Sequence, residues 1–390
     1  MPFSLDDIEY LSSDAGRCIL ESYAHSEVSE ANTLALLTQL RKALSPRQAA
    51  AVLSTLRLRK KARLKFPHHA QRMLFTEESL QQASHPRIRQ YRAGLLGSDK
   101  LVDMCCGIGS DSFVYAESGR QVLGLDMDPV RIAIARHNAA ALGATVEFAL
   151  ADVREGMPSG YDAAFYDPSR RDAMGKRMRD VERYAPPLSL IRRWPVKELV
   201  VKLSPAVALT QVQSYGGQVE FISVDGALSE AVLWRRRQSA PPLATRLDAS
   251  GIHHLSADLG ERVEISEPRA WLFEPDPAVL RARLLRQLAT MLNARLLDDT
   301  IAYMTMDEIV DSPWGRYWQI LDWMPFNLKR LRRYLIDRGV RHVTVKKRGF
   351  PMLPEELIAR LRLKKGGESR VLVLTRCRAR PVVIVCAPLV

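Results

Sequence analysis

The hydrophobic positions of this chain follow two different spacings, which separate a helical part from a strand-rich part. Before about residue 95 apolar side chains recur every three to four residues, as at Leu37, Leu40 and Leu44. That spacing places them on one face of a helix. Ser45-Pro46 then predicts a new helix, because serine caps helices and proline suits the first helical position. Residues 1–95 are therefore expected to form a helical N-terminal domain.

From Lys100 to about Arg237 short apolar runs alternate with helix-like segments, which is typical of a parallel sheet covered by helices. The runs predict seven strands, at 100–104, 121–126, 145–150, 161–167, 197–203, 218–224 and 229–235. Only a short connection joins the last two strands, whereas a helical crossover needs a dozen or more residues. We therefore expect an antiparallel final pair, in an α/β domain that spans 96–240.

Two smaller domains are expected after a linker at Ser239-Ala-Pro-Pro-Leu. Residues 241–315 predict an α+β connecting domain, for which a ferredoxin-like arrangement is one option, with a helix over 276–293. Residues 316–390 predict a βαββ unit, with a strand at 341–347, a helix at 354–363, and strands at 370–376 and 381–387.

Composition narrows the class of protein. No apolar run reaches the roughly 18 residues of a membrane span, and the acidic N-terminal residues lack the order of a signal peptide. Five cysteines, an odd number, do not indicate a disulfide framework, and no zinc-type spacing of Cys or His occurs. We therefore expect a cytoplasmic protein with no membrane partner and no metal.

The net charge of +13 is concentrated near the C-terminus. Residues 316–390 contain 18 Lys and Arg and 5 Asp and Glu, so this segment carries the whole excess (18 − 5 = +13). Such concentration favours a nucleic-acid partner over a purely solubilising role. A second basic stretch, at 57–66, is either a solvated helix face or a phosphate contact.

The stretch that joins structure to chemistry runs from Leu101 to Gly109. An apolar run ends in Asp103 and turns through Gly107 and Gly109 into a predicted helix. Glycines let a ligand approach the backbone closely, and a carboxylate lies at the strand tip. The pattern fits a dinucleotide site, an S-adenosylmethionine (SAM) site or a plain βα turn.

Two further acids decide among these three interpretations. Asp126 ends the second predicted strand and can bind both ribose hydroxyls, and Asp152 follows the third and can accept from the adenine amino group. A dinucleotide fingerprint would need glycine in place of Ser112. Asp103 would also repel a pyrophosphate, whereas it would attract a sulfonium and an ammonium. SAM is therefore the predicted cofactor, with Met127 and Val153 in the same site.

The motif Asp103-Met-Cys-Cys-Gly-Ile-Gly-Ser-Asp111 resembles the first motif of class I SAM-dependent methyltransferases. It is most similar to the Asp-x-x-Cys-Gly-x-Gly form of RNA guanine-N2 methyltransferases, with Cys105 where many members have glycine. The resemblance implies a Rossmann-like sheet with an antiparallel final strand. It also implies that Cys105, Gly107 and Gly109 contact the cofactor.

The whole chain is also similar to a bacterial family of methyltransferases with a helical N-terminal region and a C-terminal THUMP-like domain. The residues that carry this similarity lie at 273–278, 342–350 and 361–364. THUMP domains bind RNA in enzymes that modify tRNA and rRNA. The resemblance therefore implies a tRNA or rRNA substrate, with RNA contacts at Lys346, Lys347 and Arg348.

The loop after the fourth predicted strand carries the candidate catalytic residues Asp167 and Pro168. In amino-methyltransferases an Asp/Asn-Pro-Pro-aromatic loop binds the target amine here, but this chain has Ser169 and Arg170 in the last two places. We expect Asp167 to orient a base exocyclic amine such as guanine N2, and Arg170 and Arg171 to bind phosphate. Tyr166 and Tyr184 are candidate stacking groups, although packing is the expected use of both.

A ribose 2′-O-methyltransferase is an alternative. Asp167, Lys202 and Glu230 resemble three members of the Lys-Asp-Lys-Glu tetrad of those enzymes, and Lys65 is a weak candidate for the first lysine. A lysine held near carboxylates helps to deprotonate or orient the hydroxyl. The competing interpretation is a structural ion pair between Lys202 and Glu230.

Other classes of function are not excluded by the sequence. They are a small-molecule methyltransferase whose basic segment only aids solubility, and a catalytically silent RNA-binding protein. Uracil C5 methylation is disfavoured, because it needs a cysteine nucleophile and Cys105 and Cys106 lie in the cofactor loop. The expected mechanism is direct in-line methyl transfer, in which catalysis is mostly positioning and desolvation.

Overall fold

The computed structural model describes residues 2–26, 28–29, 31–172, 174–236, 239–257, 263–363 and 366–388. Contacts group the chain into two units, one formed by 1–219 with 229–240 and the other by 220–228 with 241–390. The boundaries of the four domains expected from the sequence stay predictions. No helix in the described part of the chain is both long enough and apolar enough to cross a bilayer.

The residues described before the first strand form the helices α1 (Leu5–Ser12), α2 (Asp14–Ser22), α3 (Thr33–Leu40), α4 (Pro46–Ala62), α5 (Glu77–Gln82) and α6 (Pro86–Leu95). Ser45 caps α4 as predicted, because its hydroxyl accepts the Gln48 N–H and Pro46 occupies the first helical position. The apolar residues of these helices share one core with Ile134 and Phe148 of the following sheet domain. The helical region is thus packed against the sheet domain.

The first unit contains the parallel strands and intervening helices expected from the sequence. Its elements are β1 (Lys100–Met104), α7 (Ser110–Glu117), β2 (Gln121–Asp126), α8 (Pro129–Leu142), β3 (Glu147–Leu150), β4 (Ala163–Tyr166), β5 (Glu198–Leu203) and α9 (Leu209–Val212). The parallel order is β3-β2-β1-β4-β5. Strand β6 (Gln218–Val224) belongs to the second unit from Glu220 onward. Strand β7 (Ala227–Arg235) returns to the first unit at Ser229 and runs antiparallel to β5. The Rossmann-like sheet with an antiparallel final strand is confirmed.

A two-residue turn connects β6 to β7. Asp225 and Gly226 have φ values of 50° and 83°. Positive φ at both central residues is typical of the type I′ hairpin turn, for which Asp-Gly is a preferred pair. The short connection inferred from the sequence therefore has the backbone conformation of a type I′ hairpin turn.

The second unit contains a seven-stranded sheet in the order β11-β12-β10-β13-β16-β15-β14. The elements of the unit after residue 241 are β8 (Leu243–Asp248), β9 (Gly251–Ser256), β10 (Trp271–Pro275), α10 (Pro277–Arg281), α11 (Leu285–Met291), β11 (Arg295–Asp298), β12 (Ile301–Met306), β13 (Gly315–Pro325), α12 (Leu328–Asp337), β14 (Val340–Lys347), α13 (Pro354–Leu361), β15 (Glu368–Cys377) and β16 (Arg380–Cys386). Among the described strand pairs of this sheet, β14 and β15 run parallel and the others antiparallel. The predicted βαββ unit is present as β14-α13-β15-β16.

Three features of this unit differ from the sequence prediction. The helix expected over 276–293 is two short helices, because Arg283 adopts a φ of 62° between them. Strand β13 and helix α12 were not predicted. Most residues of β13 are at least partly exposed, so its apolar pattern is weak. Helix α12 does carry Leu328, Leu331 and Leu335 at helical spacing, a signal that the sequence prediction did not use.

Candidate active site

The loop between β1 and α7 holds three residues in the left-handed backbone region. Cys105, Gly107 and Gly109 have φ values of 70°, 57° and 83°. Glycine adopts this region freely, whereas a side chain at Cys105 costs about 1–2 kcal/mol there. A Cβ at Gly109 would lie 2.7 Å from Phe113 and 2.8 Å from Phe148, whereas the space around Gly107 is open. Glycine at position 109 is therefore required by packing, whereas glycine at position 107 leaves open space beside the backbone.

Asp103 ends β1 and is buried, yet protein groups satisfy only half of its carboxylate. The Ser112 hydroxyl donates to Oδ2 at 2.5 Å, whereas no group in the described ranges donates to Oδ1. Burial raises the pKa of Asp103 well above its usual range, and the nearby Asp111 carboxylate adds to the shift. A buried acceptor without a partner fits a cationic ligand group.

Asp126 ends β2 and is anchored by two main-chain donors. Its Oδ2 accepts the Gly107 N–H and its Oδ1 accepts the Asp128 N–H, both at 2.9 Å. Burial raises the pKa of this carboxyl. Each oxygen retains a further acceptor site, so the carboxylate can take two ligand hydroxyls in a fixed orientation.

A cavity of about 330 Å³ opens where β1, β2, β3 and β4 end. This volume lies in the usual range for small-molecule sites. The cavity brings together seven of the eight residues predicted to bind the cofactor, all except Gly109: Asp103, Cys105, Gly107, Asp126, Met127, Asp152 and Val153. The candidate catalytic residue Asp167 lines the same cavity.

The part of this cavity that follows β3 combines an acid with apolar surface. Asp152 is held by Arg154, whose Nε donates to both carboxylate oxygens at 2.9 Å. Val153 is buried, and the Met127 side chain is 59% exposed. An acceptor beside apolar side chains suits a flat heteroaromatic ring with an amino group.

Asp167 forms an ion pair with Lys202 at the edge of the cavity. The Lys202 ammonium donates to Asp167 Oδ2 at 2.7 Å and to the main-chain carbonyl of Gln82 at 2.8 Å. The Lys202 side chain is almost fully buried, whereas that of Asp167 is 21% exposed. Pro168 is buried and does not line the cavity. Lys202 thus fixes Oδ2 of Asp167, while the Asp167 side chain stays partly exposed and lines the cavity.

Glu230 has a partner that the sequence did not reveal. Arg92 donates to Glu230 Oε1 at 2.5 Å, and the Ser84 hydroxyl donates to Oε2 at 2.7 Å. Arg92 is wholly buried and also pairs with Asp111. Burial raises the pKa of Asp111, but the charges of Arg92, Lys202 and Arg89 together with the Ser110 hydrogen bond outweigh it, so the pKa is lowered. The interpretation of Lys202 and Glu230 as one ion pair is therefore wrong.

Lys65 is engaged by main-chain carbonyls. Its ammonium donates to the carbonyls of Leu80, Gln81 and Ala83 at 2.9, 3.0 and 2.6 Å. These three bonds use all of its donors. Burial, followed by the charge of Lys202, lowers the pKa of Lys65 to about 8. Lys65 therefore has no donor left for a substrate hydroxyl.

The basic stretch at 57–66 divides into inner and outer residues. Arg59 is buried, and its Nε donates to the carbonyl of Met73 at 3.0 Å. Burial lowers the pKa of Arg59 to about 10. The remaining basic residues, apart from Lys65, are exposed: Arg57, Lys60, Lys61 and Arg63. The stretch is thus only partly a solvated helix face.

The loop after β4 directs its arginines away from the cofactor cavity. Arg170 and Arg171 line a second cavity next to it. Tyr166 is buried, and its hydroxyl donates to the carbonyl of Pro186 at 2.7 Å. Tyr184 is also buried. Packing, the expected use of both tyrosines, is what the structure has.

The three predicted RNA-binding residues of the second unit have different surroundings. Lys346 pairs with Glu274 and lies 4.2 Å from the centre of the Trp318 ring. Arg348 donates to the carbonyl of Ala302 at 2.7 Å. Lys347 is exposed. Two of the three cations are thus part of the internal packing, and Lys347 alone of the three points outward.

Sequence reasoning missed three groups that build this site. Arg92 lies in a helical region with no motif, and nothing near it in the chain indicates its two acidic partners. Gln82, which lines the cavity and binds Lys202, comes from the same region. Ser112 did give a signal, because it stands where a dinucleotide motif would have glycine, but that signal served only to exclude a cofactor.

Family models match three parts of the chain. One described as a methyltransferase domain matches residues 97–181, and one described as THUMP domain-like matches 315–388. A domain of unknown function matches 4–62. Among solved structures, one assigned as a methyltransferase from Porphyromonas gingivalis W83 covers 99% of both chains with a TM-score of 0.80. At 20% identity this similarity shows a shared fold.

Two curated relatives add functional names. An uncharacterized RNA methyltransferase of Halalkalibacterium halodurans is 36% identical over 86 residues, 20% of this chain and 19% of its own length. An uncharacterized SAM-dependent methyltransferase of Mycobacterium tuberculosis is 34% identical over 322 residues, 78% of this chain and 85% of its own length. The chain therefore belongs to the family of SAM-dependent methyltransferases that includes this mycobacterial protein, and it carries a THUMP-like domain.

Proposed function

We propose that this methyltransferase modifies structured RNA, either tRNA or rRNA, at an exocyclic amine of a base such as guanine N2. The observation that carries the proposal is the Asp167–Lys202 ion pair beside the cofactor cavity. A partly exposed carboxylate with one fixed oxygen can accept a hydrogen bond from an amine and hold its nitrogen toward the cofactor.

The residues around the cavity fit SAM. Asp103 has a buried, unpartnered oxygen for the α-ammonium, and Gly107 leaves open space beside the backbone. Asp126 suits the ribose hydroxyls. Asp152 suits the adenine amino group, with Met127 and Val153 against the ring. SAM supplies a methyl group on a sulfonium, and Asp167 would orient the nitrogen that receives it.

The contacts favour a base amine over a ribose hydroxyl. A Lys-Asp-Lys-Glu tetrad needs its lysines and its glutamate free to face the hydroxyl. Here Lys65 donates three hydrogen bonds to main-chain carbonyls, and Glu230 accepts hydrogen bonds from Arg92 and Ser84. Only Asp167 and Lys202 of the four form a pair.

Uracil C5 methylation finds no support in the cysteines. That chemistry needs a thiolate that attacks the base. Burial raises the pKa of both Cys105 and Cys106 well above the usual range, and the acids around them add to the shift. Both thiols therefore stay protonated at neutral pH, when they are poor nucleophiles.

An RNA substrate is supported by the C-terminal domain and by one relative. The THUMP domain-like match covers the segment that holds the net charge of +13. The Halalkalibacterium protein is named an RNA methyltransferase. A cytoplasmic enzyme acting on tRNA or rRNA accounts for both.

The test is to incubate total RNA from a deletion strain with the protein and labelled SAM, and to identify the modified nucleoside by mass spectrometry. We expect label in a base methylated on its exocyclic amine, and none with the Asp167→Asn variant. Label in a 2′-O-methylated nucleoside would show that the ribose hydroxyl, and not the base amine, accepts the methyl group. Transfer to a small metabolite with no label in RNA, or no transfer to any RNA, would refute the proposal.

A further inference from the structure

A second cavity adjoins the cofactor cavity and has a cationic wall. Its volume is about 320 Å³, and Gln82 and Ala83 belong to the walls of both cavities. The basic residues that line it come from four separate stretches of the chain: Lys65, His85, Arg170, Arg171, Arg177 and Lys202. Glu230 is the one acidic residue among the described residues of this wall.

Asp167 pairs with Lys202, but among the described residues no acid forms a salt bridge with Arg170, Arg171 or Arg177, so their positive charge is uncompensated. Glu230 is paired with buried Arg92, which also pairs with Asp111. Arg170 donates to the carbonyl of Leu203 at 2.9 Å, and Arg171 donates to the carbonyl of Gly175 at 2.8 Å. A carbonyl satisfies a donor but does not cancel its charge. Each guanidinium also has further N–H groups beyond the one used.

Arg171 and Arg177 are held next to each other by the backbone. They face each other across an isolated antiparallel bridge in the loop after β4. Directly opposed positions bring their side chains to the same side, where like charges repel. Two arginines at such a place are suited to share one anion, because each can offer it a fork of donors.

The neighbouring cations act on the ammonium of Lys65 in this wall. Burial lowers the pKa of Lys65 to about 8, and the charges of Lys202 and Arg89 contribute further. An anion in this cavity would attract the protonated form and offset part of that shift.

We propose that this cavity is a phosphate subsite, which binds a backbone phosphate of the RNA next to the nucleotide that is methylated. The inference rests on the proposed function and adds to it a position for the substrate. Lys202 joins the two cavities, because it pairs with Asp167 on one side and lines the cationic cavity on the other. A base in one cavity and a phosphate in its neighbour match the two ends of a nucleotide.

The test compares Arg171→Ala and Arg177→Ala with Arg193→Ala, an exposed arginine of the same unit that does not line the cavity. Two probes are used, inorganic phosphate and unfractionated bacterial tRNA. We expect phosphate to raise the Tm of the wild type and of Arg193→Ala, and to do so less in the two cavity variants.

With tRNA, each cavity variant should bind roughly tenfold more weakly than the wild type, as expected for loss of a charge-assisted bond. The slope of log Kd against log salt should fall by about one phosphate contact for each arginine removed. SAM affinity, measured by calorimetry without RNA, should stay unchanged in all variants.

Three other results overturn the proposal. A lost phosphate effect with unchanged tRNA affinity would make the cavity a site for free phosphate only. Equal losses in Arg193→Ala would reduce the effect to general surface charge. Unchanged behaviour of both cavity variants would remove the site. If tRNA binds as described but no RNA is ever methylated, the subsite stands and the proposed function fails.

Discussion

Ser112 donates its hydroxyl to Oδ2 of Asp103 at 2.5 Å, and so holds the carboxylate that closes β1. The side chain that departs from a dinucleotide motif is therefore the one that orients the buried acid of this site. Its bond to Oδ2 leaves Oδ1 for the ligand. This arrangement gives SAM binding a definite pH dependence.

The affinity for SAM should rise with pH. Burial, together with Asp111 and Asp167, raises the pKa of Asp103 well above 3.8, while Ser112 and Arg92 oppose the shift. Binding of an ammonium at Oδ1 requires the carboxylate, so the protein must release a proton on binding at any pH below the raised value. The Kd for SAM should fall by about tenfold per pH unit in that range and then level off.

Calorimetry in two buffers of different ionisation enthalpy measures this proton release directly. The control is Asp103→Asn, which should bind more weakly and lose the pH dependence. Without ligand the same shift should make the fold less stable as pH rises from about 3.8 to the raised pKa, because the folded form then holds a proton that the unfolded chain has lost. A SAM affinity that is flat with pH in the wild type would contradict this account.

The two glycines of the β1–α7 loop should fail in different ways when alanine replaces them. At Gly109 the added Cβ meets Phe113 and Phe148, so Gly109→Ala should lose about 1–3 kcal/mol from overpacking besides the cost of its positive φ. At Gly107 only the φ cost of about 1 kcal/mol applies. Its new methyl group points into open space beside the cofactor cavity, so SAM should bind roughly tenfold or more weakly.

Urea unfolding and SAM titration of both alanine variants separate these effects. If Gly107→Ala proves the less stable of the two and binds SAM normally, the assignment of one glycine to packing and the other to the ligand is wrong.

The site could be predicted from the sequence where its chemistry lies at the ends of strands. Asp103, Asp126 and Asp152 each follow a recognisable apolar run, and strand order alone brings such tips to one crevice. Arg92 could not be predicted in this way. It lies 138 residues from Glu230 along the chain, and no local pattern encodes a contact over that separation.

The net charge of a segment does not show which of its cations are exposed. The basic excess of the C-terminal segment was visible in the sequence, but the role of each cation was not. Lys346 faces Glu274, 72 residues away, and its neighbour Lys347 faces outward. Alternation along a strand sends successive side chains to opposite faces, and only the packed structure says which face is covered.

Substitutions of Glu230 and Asp167 should have different effects, because Glu230 has a structural role and Asp167 a catalytic one. Glu230→Ala leaves the buried Arg92 short of a partner, which typically costs about 3–5 kcal/mol, so the variant should unfold at much lower urea. Asp167→Asn keeps a similar shape in a partly exposed position. It should lose less stability than Glu230→Ala, because the amide oxygen can still accept from Lys202, but it should lose about 10²–10⁴-fold in kcat on the RNA substrate.

The paired measurements are urea midpoint and single-turnover rate with SAM in excess. Activity of Glu230→Ala should follow its folded fraction and recover at low temperature. A fully folded Glu230→Ala protein with the rate loss of a catalytic variant would instead return Glu230 to the catalytic set.

Alanine substitutions of the adjacent lysines Lys346 and Lys347 in β14 should also have different effects, the first on stability and the second on RNA binding. Lys346→Ala removes the partner of Glu274 and a cation from the Trp318 ring, so the loss should appear in stability, at about 1–2 kcal/mol. Lys347→Ala removes an exposed charge and should leave stability unchanged, while tRNA binding weakens uniformly and its salt slope drops by about one contact. Filter binding at several salt concentrations, beside urea unfolding, gives both quantities for each variant. Should Lys346→Ala, and not Lys347→Ala, be the variant that reduces the salt slope without loss of stability, the internal role of Lys346 would be refuted.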